Sequence, residues 1–210
     1  MENLENEYNN LCNSVSDINE HLPIICSYAS ECNNAIESGV RDCVSSFAIA
    51  YGLLLNKNNT NSFLILNDIK TCDIGRLQNA CHLLPITFKG LWMNNLDIDF
   101  NNDLENKTFD LLFIDTWHVY GQLKRELNKF KSIINKYIIM HDTTSDEIDG
   151  ETIRCNFNAQ EQSELFNIPL EEINRGTGPA INEFLLENPQ WILKEKLTNN
   201  NGLTILYKQN

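Results

Sequence analysis

The sequence predicts a single α/β domain whose mostly parallel sheet has helices on both faces and ends in an antiparallel hairpin. Short apolar runs, typical of strands buried on both faces, alternate with segments of helical pattern. Two extended runs, residues 191–197 and 203–207, flank an Asn-Asn-Asn-Gly turn, which is a strong hairpin signal. A chain of 210 residues is long enough for one sizeable core. These observations favour a doubly wound sheet of seven strands.

The first strands and helices follow in order from the amino terminus. The polar residues 1–30 are expected to form one or two helices that cover a sheet edge, ahead of a main domain at 31–210. Residues 32–37 lean apolar and lead into a tight turn at Gly39, and a helix follows through Phe47 and Leu54. Residues 62–66 form the second predicted strand, 73–84 a helix, and 86–90 the third strand.

The second half of the chain holds the two most informative segments. Residues 109–114 and 137–140 are apolar runs that end abruptly on acid and imidazole side chains, and residues 122–135 between them have a helical pattern. Because the carboxyl ends of parallel strands line the ligand crevice of an open α/β sheet, these side chains are expected to converge on one pocket. They are Asp115, His118, His141 and Asp142. Residues 144–174 are polar and irregular, as in a substrate loop, and Gly178-Pro179 begins a last helix.

The bulk composition excludes several functions. A formal net charge of −13 argues against a broad electrostatic contact with nucleic acid or with an anionic membrane. No apolar run approaches the roughly 18 residues of a membrane span, and the polar N-terminus has no signal-peptide core. The seven cysteines lack Cys-x-x-Cys spacing, which favours reduced thiols in the cytoplasm over disulfides or a zinc knuckle. A small neutral or sugar-like substrate is therefore expected.

The two strand-end motifs carry a resemblance to a known family. Ile-Asp-x-x-His-x-Tyr at residues 114–120, Glu126-Leu127 in the next helix and His-Asp-Thr at 141–143 resemble class I S-adenosylmethionine-dependent methyltransferases. Within that family the motifs are most similar to the cephalosporin hydroxylase-like and rhamnosyl or macrolide-sugar O-methyltransferase branch. The resemblance covers about residues 31–208 and implies a Rossmann-like sheet of seven strands. It also implies an enzyme that methylates a hydroxyl group, with a sugar, nucleotide-sugar or glycan as acceptor.

The same resemblance implies a binding site for S-adenosylmethionine. In the family, an acid and a glycine-rich turn after the first strand cup the methionyl group, because glycine permits close backbone approach and the helix start offers free N–H groups. An acid that closes the second strand holds the ribose hydroxyls, and the end of the third strand frames the adenine. The matching residues are Glu37, Gly39, Arg41 and Ser45 in the turn, Asp68 after the second strand, Gly90, Leu91 and Trp92 in the third, and Asp115 after the fourth.

Cys43 departs from the family pattern, since relatives often carry a second glycine at this position. A cysteine adopts a positive φ only at a cost. This departure and an incomplete set of acids leave open an alternative, a methyltransferase-like binding module without catalysis. A dinucleotide-binding oxidoreductase is disfavoured, because the first turn lacks Gly-x-Gly-x-x-Gly.

The chemistry of methyl transfer assigns roles to the strand-end residues. An alcohol becomes a good nucleophile only when a base or a metal helps to remove its proton. His118 is the first choice for that base or for a substrate-orienting group, with a structural hydrogen bond to Asp142 as the alternative, and His141 supports it. In cation-dependent relatives the acids matching Asp115 and Asp142 hold a metal, so Mg²⁺ is expected there, although two carboxylates alone would bind it weakly.

The remaining candidates surround this centre. The acids in residues 146–151 are typical of a solvated loop face, although one of them is a candidate to complete a metal shell. His21 is placed in the N-terminal helical region and His82 in the helix after the second strand, so neither is a candidate for the site. A homodimer through a sheet edge or the N-terminal helices is common in such folds. Substrate contacts are assigned to Trp117, Tyr120, Arg154 and Arg175. Packing is the alternative for the two aromatic residues, and the arginines are expected to act if the acceptor carries a phosphate or carboxylate group.

Overall fold

The computed structural model describes residues 1–209, and its strands form a seven-stranded sheet. The order across the sheet is β3-β2-β1-β4-β5-β7-β6, with β1 to β5 parallel and β7 antiparallel to both of its neighbours. The predicted parallel sheet with a C-terminal antiparallel hairpin is therefore confirmed. The strands are β1 (Asn34–Ser38), β2 (Ser62–Asp68), β3 (Ile86–Trp92), β4 (Phe109–Ile114), β5 (Ile134–His141), β6 (Trp191–Leu197) and β7 (Leu203–Lys208).

Nine helices are present in the described part of the chain, and two layers of them enclose the sheet. They are α1 (Glu2–Asn13), α2 (Leu22–Ala29), α3 (Val44–Leu55), α4 (Gly75–Ala80), α5 (Tyr120–Phe130), α6 (Gly150–Arg154), α7 (Ala159–Phe166), α8 (Leu170–Ile173) and α9 (Thr177–Glu187). Helices α1 to α4 pack on one face of the sheet, and α5 and α9 pack on the other. No helix within residues 1–209 is long and apolar enough to cross a membrane.

The N-terminal helices lie on a sheet face and against α3, rather than over a sheet edge as predicted. Gly52 of α3 permits this packing, because a Cβ at that position would lie only 2.4 Å from the carbonyl oxygen of Cys26 in α2. Residues of α1, α2 and α3 share one buried apolar cluster with the inner strands. The N-terminal segment is thereby fixed next to the carboxyl end of β5.

Several element boundaries differ from the sequence prediction. The helix predicted at 122–135 ends at Phe130, because Ile134 is buried and already pairs with Phe109 as the first residue of β5. The helix predicted at 73–84 covers only Gly75–Ala80. Segment 144–174 contains the short helices α6, α7 and α8. Local pattern located these elements, but tertiary pairing set their ends.

The tip of the β6–β7 hairpin lies beside the end of β5. Asn200, Asn201 and Gly202 adopt φ values of 44°, 70° and 99°, which close the turn. The carbonyl oxygen of Asn201 accepts hydrogen bonds from the backbone N–H groups of Thr144 and Ser145 at 2.9 and 3.0 Å. The hairpin therefore supports the loop that follows β5, at the edge where the candidate site lies.

Candidate active site

Two adjoining cavities open at the carboxyl edge of the sheet. Gly39, Asp68 and Asp115 line both of them and mark their junction. The inner cavity, of ≈ 200 Å³, is also lined by Asn67, Ile69, Asn94, Asn95, Thr116, Trp117, Gln122 and Phe166. The outer cavity, of ≈ 490 Å³, is also lined by Asp17, Arg41, Ile69, Lys70, Thr116, His118, Asp142, Glu151, Arg154, Cys155 and Asn201.

Gly39 brings the loop after β1 directly against the end of β4. Its φ is 94°, and a Cβ built on it would lie 1.9 Å from the carbonyl oxygen of Asp115. Its N–H donates to the carbonyl of Asn67 at 2.9 Å, and the N–H of Asp115 donates to the carbonyl of Ser38 at 2.8 Å. Only glycine combines this φ with such a close approach. The loop is therefore held over the ends of β1 and β4.

Asp68 closes β2 with its carboxylate directed at the same loop. Its Oδ2 accepts hydrogen bonds from the backbone N–H groups of Val40 and Arg41 at 3.0 and 3.1 Å, and its Oδ1 accepts one from Lys70 at 3.0 Å. These three donors fix the carboxylate at the junction of the two cavities. Each oxygen has two lone pairs, so acceptor capacity remains for a ligand.

Cys43 adopts the left-handed conformation at the position where relatives often carry glycine. Its φ and ψ are 62° and 22°, and its side chain is buried with Sγ 3.7 Å from the carbonyl oxygen of Asp73. Arg41 in the same loop has a φ of 44°. A left-handed non-glycine residue costs roughly 1–2 kcal/mol. The turn is thus formed without a second glycine, with strain at Cys43.

Two substitutions at Cys43 measure this strain. Cys43→Ala and Cys43→Gly both remove Sγ, but only glycine adopts a φ near 62° freely. After allowance for the greater freedom of glycine in the unfolded chain, we expect Cys43→Gly to be more stable than Cys43→Ala by roughly 0.5–1 kcal/mol. Urea unfolding of the two variants provides the measurement. If Cys43→Ala were instead the more stable variant by about 0.4–1 kcal/mol, the advantage expected from the unfolded chain alone, the left-handed φ would carry no cost here.

Glu37 is buried below the loop, and both of its carboxylate oxygens are already hydrogen-bonded. Oε1 accepts from the Ser45 hydroxyl, and Oε2 accepts from the Ser46 hydroxyl at 2.6 Å. Burial raises the pKa of Glu37 to about 8, although the two hydroxyl donors act in the opposite direction. Glu37 and Ser45 thus join β1 to the first turn of α3, and neither is among the residues that line the two cavities.

The raised pKa of Glu37 predicts a pH-dependent stability that Glu37→Gln removes. With a pKa of about 8 in the folded state and 4.5 as the unperturbed value, this carboxyl favours folding when protonated. The contribution is complete below the unfolded pKa and is lost as the pH rises through the folded pKa, by up to about 1.4 kcal/mol per pH unit. We expect urea unfolding from pH 5 to 8 to show a smaller loss of stability in the variant. Parallel curves for variant and wild type would contradict the raised pKa.

The residues that line the inner cavity near β3 follow this strand in the sequence, whereas the predicted residues lie within it. Leu91 is buried in the core, and a Cβ on Gly90 would lie 2.6 Å from the ring of Trp92. These three residues belong to β3 and are not among those that line the cavity, whereas Asn94 and Asn95 are. The reason is that β3 extends to Trp92, so the chain reaches the sheet edge later than the apolar run suggested.

Two imidazole rings and two carboxylates meet at the ends of β4 and β5. His118 Nε2 lies 3.1 Å from Asp115 Oδ1, and its Nδ1 lies 3.3 Å from Asp142 Oδ2. His141 Nδ1 lies 3.4 Å from the same Asp115 oxygen and 3.2 Å from Asp142 Oδ1. The structure brings all four predicted side chains together. Within the described chain, His118 Nδ1, His141 Nδ1 and Asp142 Oδ1 are buried without a hydrogen bond of suitable geometry.

Further carboxylates and a guanidinium group surround His118. Asp146 Oδ2 and Glu151 Oε2 lie 3.5 and 3.6 Å from its Nδ1. Asp146 is fully buried and accepts two hydrogen bonds from Arg154, at 2.6 Å from Nε and 2.8 Å from Nη2. Segment 144–174 therefore contributes charges of both signs next to the imidazole cluster.

The electrostatics of the cluster favour charged imidazole rings. Burial lowers the pKa of His118, but Asp115, Glu151 and Asp142 outweigh it and raise the pKa well above 6.5. The pKa of His141 is also raised, since Asp115 and Asp142 outweigh its burial. Conversely, the two rings hold the pKa of Asp115 below its usual range despite burial, whereas burial raises the pKa of Asp142. Asp115 and the two imidazole rings therefore stabilise one another's charged forms.

The residues predicted to contact substrate separate into two groups. Trp117 lines the inner cavity, where its ring centroid lies 5.1 Å from that of Phe166, and Arg154 lines the outer cavity. The buried Tyr120 instead donates a hydrogen bond to a carboxylate of α9 at 2.6 Å, and Arg175 lies over its ring at 3.9 Å from the centroid. Neither Tyr120 nor Arg175 is among the residues that line the cavities.

His21 lies in the N-terminal helical region as predicted, and it packs against the imidazole cluster without lining either cavity. The fully buried ring lies edge-on to His141 with centroids 5.5 Å apart, and burial lowers its pKa. Neither ring nitrogen has a hydrogen bond within residues 1–209. His141 Nε2 in turn lies 3.3 Å from the carbonyl oxygen of Asn200 in the hairpin tip. No local pattern marks His21, because only tertiary packing brings it to the end of β5.

The donor set of the cluster does not fit magnesium. Asp115, His118 and Asp142 each offer a ligand atom within 4.8 Å of the others, but one of the three is an imidazole nitrogen. Mg²⁺ prefers six oxygen ligands in octahedral geometry, and both carboxylates are already ion-paired with imidazole rings. A mixed nitrogen and oxygen set suits manganese, iron or zinc better.

Comparison with known proteins places this fold. No protein-family model and no curated protein matches the chain. An inferred O-methyltransferase from Klebsiella pneumoniae is similar with a TM-score of 0.61 and 14% identity over 99% of this chain and 90% of that chain. The O-methyltransferase from Bacillus cereus, in complex with SAH, has a TM-score of 0.59 and 13% identity over 100% of this chain and 91% of that chain. The O-methyltransferase TomG from Streptomyces achromogenes, in complex with SAM, has a TM-score of 0.58 and 9% identity over 94% of this chain and 82% of that chain.

These similarities establish the fold of the chain. Its strand order and its antiparallel β7 are those of the class I S-adenosylmethionine-dependent methyltransferases, and the solved O-methyltransferases cover nearly all of its length. The chain therefore has the class I methyltransferase fold.

Proposed function

We propose that the protein is an S-adenosylmethionine-dependent O-methyltransferase that acts on a hydroxyl group of a small molecule. The observation that carries the proposal is the junction at Gly39, Asp68 and Asp115, where a cavity with apolar and amide walls meets a second, charged cavity. Two joined cavities suit a cofactor that must present a reactive group to a separate acceptor. The shared fold of the solved O-methyltransferases supports this function.

The inner cavity suits the adenosyl half of the cofactor. Trp117 and Phe166 provide an aromatic wall, and Asn95 and Gln122 provide amide groups. The carboxylate of Asp115 at the junction favours a cationic sulfonium at the mouth of the outer cavity. When bound, S-adenosylmethionine supplies an electrophilic methyl group on that sulfur.

The outer cavity suits a small polar acceptor such as a sugar. Its walls are mainly acidic and basic side chains, which can pair with the hydroxyl groups of a sugar. Both of its arginines are already engaged, Arg41 with Asp17 at 2.9 Å and Arg154 with Asp146 at 2.6 Å. Because further carboxylates remain in the lining, a free sugar or a glycan end fits better than the diphosphate of a nucleotide-sugar.

His118 is the residue that receives the proton of the acceptor hydroxyl in this proposal. Asp115 fixes the ring through Nε2, and Nδ1 has no hydrogen bond within the described chain. The surrounding carboxylates keep the ring protonated at rest, so it must lose that proton before it can act as a base. With a sulfonium held beside it, Asp115 would stabilise the protonated ring less strongly, which would lower the pKa of His118.

The direct test is transfer of an isotope-labelled methyl group to a panel of free sugars, glycan fragments, nucleotide-sugars and phenols. We expect a labelled methyl ether with a free sugar or a glycan. His118→Gln should lower turnover by at least about 100-fold, the usual scale of base catalysis, while S-adenosylhomocysteine affinity changes by less than about threefold. Cofactor binding without transfer to any class would instead favour the binding module.

The mixed donor set predicts that magnesium does not support the reaction. After dialysis against EDTA, addition of millimolar Mg²⁺ should produce neither binding heat nor an increase in turnover, because the imidazole rings compete for the carboxylates. Mn²⁺ and Zn²⁺ serve as the comparison, since they accept nitrogen ligands. Restoration of lost activity by Mg²⁺ would contradict this prediction and would indicate that Asp115 and Asp142 bind the ion through their carboxylate oxygens.

A further inference from the structure

Glu126 is a buried carboxyl group directly behind the wall of the inner cavity. It lies on α5 with 1% of its surface exposed, and its Oε1 accepts three hydrogen bonds. The donors are Asn95 Nδ2 at 2.6 Å, Thr116 Oγ1 at 2.7 Å and Gln122 Nε2 at 2.8 Å. All three donors line the inner cavity, whereas Glu126 itself does not.

Burial of a carboxyl group is costly unless donors compensate it, so an apolar residue would serve the core better at this position. The compensation here comes entirely from the cavity wall. Oε2 of Glu126 has no hydrogen bond within the described chain, so all of its hydrogen bonds are made through Oε1. Because Oε1 bonds three residues of the cavity wall and Oε2 bonds none in the core, we infer that Glu126 orients the cavity wall rather than stabilising the core.

Oε1 of Glu126 accepts a hydrogen bond from each of the two amides, and Glu126 therefore determines how these amides are turned. The NH₂ groups of Asn95 and Gln122 must both face Glu126. The same Gln122 nitrogen also donates to Asn95 Oδ1 at 3.2 Å. Gln122 lines the cavity, and because its NH₂ group is held by Glu126, its Oε1 is the polar atom that this side chain can offer to a ligand. The wall thus presents a fixed acceptor.

We propose that Glu126 is a positioning residue that makes the inner cavity select a purine with an exocyclic amino group over one with a carbonyl oxygen. The inference rests on the proposed function, in which this cavity takes the adenosyl group. The amino group of adenine donates to Gln122 Oε1, whereas the O6 atom of hypoxanthine faces the same acceptor and is repelled. Without Glu126 the amides can rotate, and the discrimination is lost.

The test compares calorimetric titrations with S-adenosylhomocysteine and S-inosylhomocysteine. We expect the wild type to prefer the adenosyl compound by at least about 30-fold. Glu126→Leu and Glu126→Met both remove the acceptor for the two amides. Both variants should bind the two compounds within about threefold of each other. Arg125→Gln, on the same helix but outside the cavity, is the matched control and should keep the wild-type ratio.

The ratio of affinities separates positioning from a general structural role, because simple destabilisation weakens both compounds alike. Circular dichroism establishes which variants fold, and Glu126→Met is used for the test if Glu126→Leu does not fold. Failure of the wild type to bind S-adenosylhomocysteine overturns the proposed function itself. Binding by the wild type without discrimination, or an unchanged ratio in the folded Glu126 variants, leaves the cofactor site intact and overturns only the role of Glu126.

Discussion

Gly39→Ala is expected to destabilise the protein by about 3 kcal/mol and to abolish cofactor binding. The new Cβ would lie 1.9 Å from the carbonyl oxygen and 2.5 Å from the carbonyl carbon of Asp115, which are backbone atoms that cannot rotate away. The φ of 94° adds a conformational cost of roughly 1–2 kcal/mol to an overpacking cost of about 1–3 kcal/mol. Urea unfolding and titration with S-adenosylhomocysteine measure the two effects.

Gly75→Ala is the matched control for this substitution. A Cβ at Gly75, the first residue of α4, would meet only a side-chain oxygen of Asp73 at 3.0 Å. We expect a change in stability of less than about 0.5 kcal/mol and an unchanged cofactor affinity. Wild-type stability and affinity in Gly39→Ala would show that β1 and β4 do not need the close approach at Gly39.

Asp68→Ala is expected to weaken S-adenosylhomocysteine binding by at least about 100-fold. The substitution removes the acceptor for the N–H groups of Val40 and Arg41, which hold the loop over the junction of the cavities. Hydrogen bonds to a charged acceptor contribute about 1.5–3 kcal/mol each, so the loss of two accounts for the expected change.

Asp68→Asn distinguishes loop support from a simple loss of charge. Its Oδ1 can still accept from the loop, so we expect a loss nearer to tenfold. Calorimetry of both variants provides the measurement. If Asp68→Ala binds as tightly as the wild type, the carboxylate has no part in the cofactor site.

The fold and the centre of the site could be predicted because both depend on local signals. β4 and β5 are buried on both faces, so their sequences are unbroken apolar runs, and parallel strands necessarily bring Asp115, His118, His141 and Asp142 to one edge. The left-handed turn at Cys43 was also visible as a position where a small residue replaces glycine.

Other features depend on tertiary contacts that no local pattern encodes. Asn94 and Asn95 reach the inner cavity because β3 runs to Trp92, a boundary set by pairing with β2. His21 reaches His141 only because an N-terminal turn packs at the end of β5. Tyr120 follows the strand-end motif in sequence, yet the helix that it begins turns the ring toward α9.

Titration of the purified wild-type protein with S-adenosylmethionine and S-adenosylhomocysteine tests the central claim most directly. The joined cavities predict a single site for each compound with micromolar affinity, and the site should be lost in Gly39→Ala. Absence of binding heat and of any thermal shift at millimolar concentrations of both compounds would contradict the claim. The class I fold would then serve a binding module whose ligand is not this cofactor.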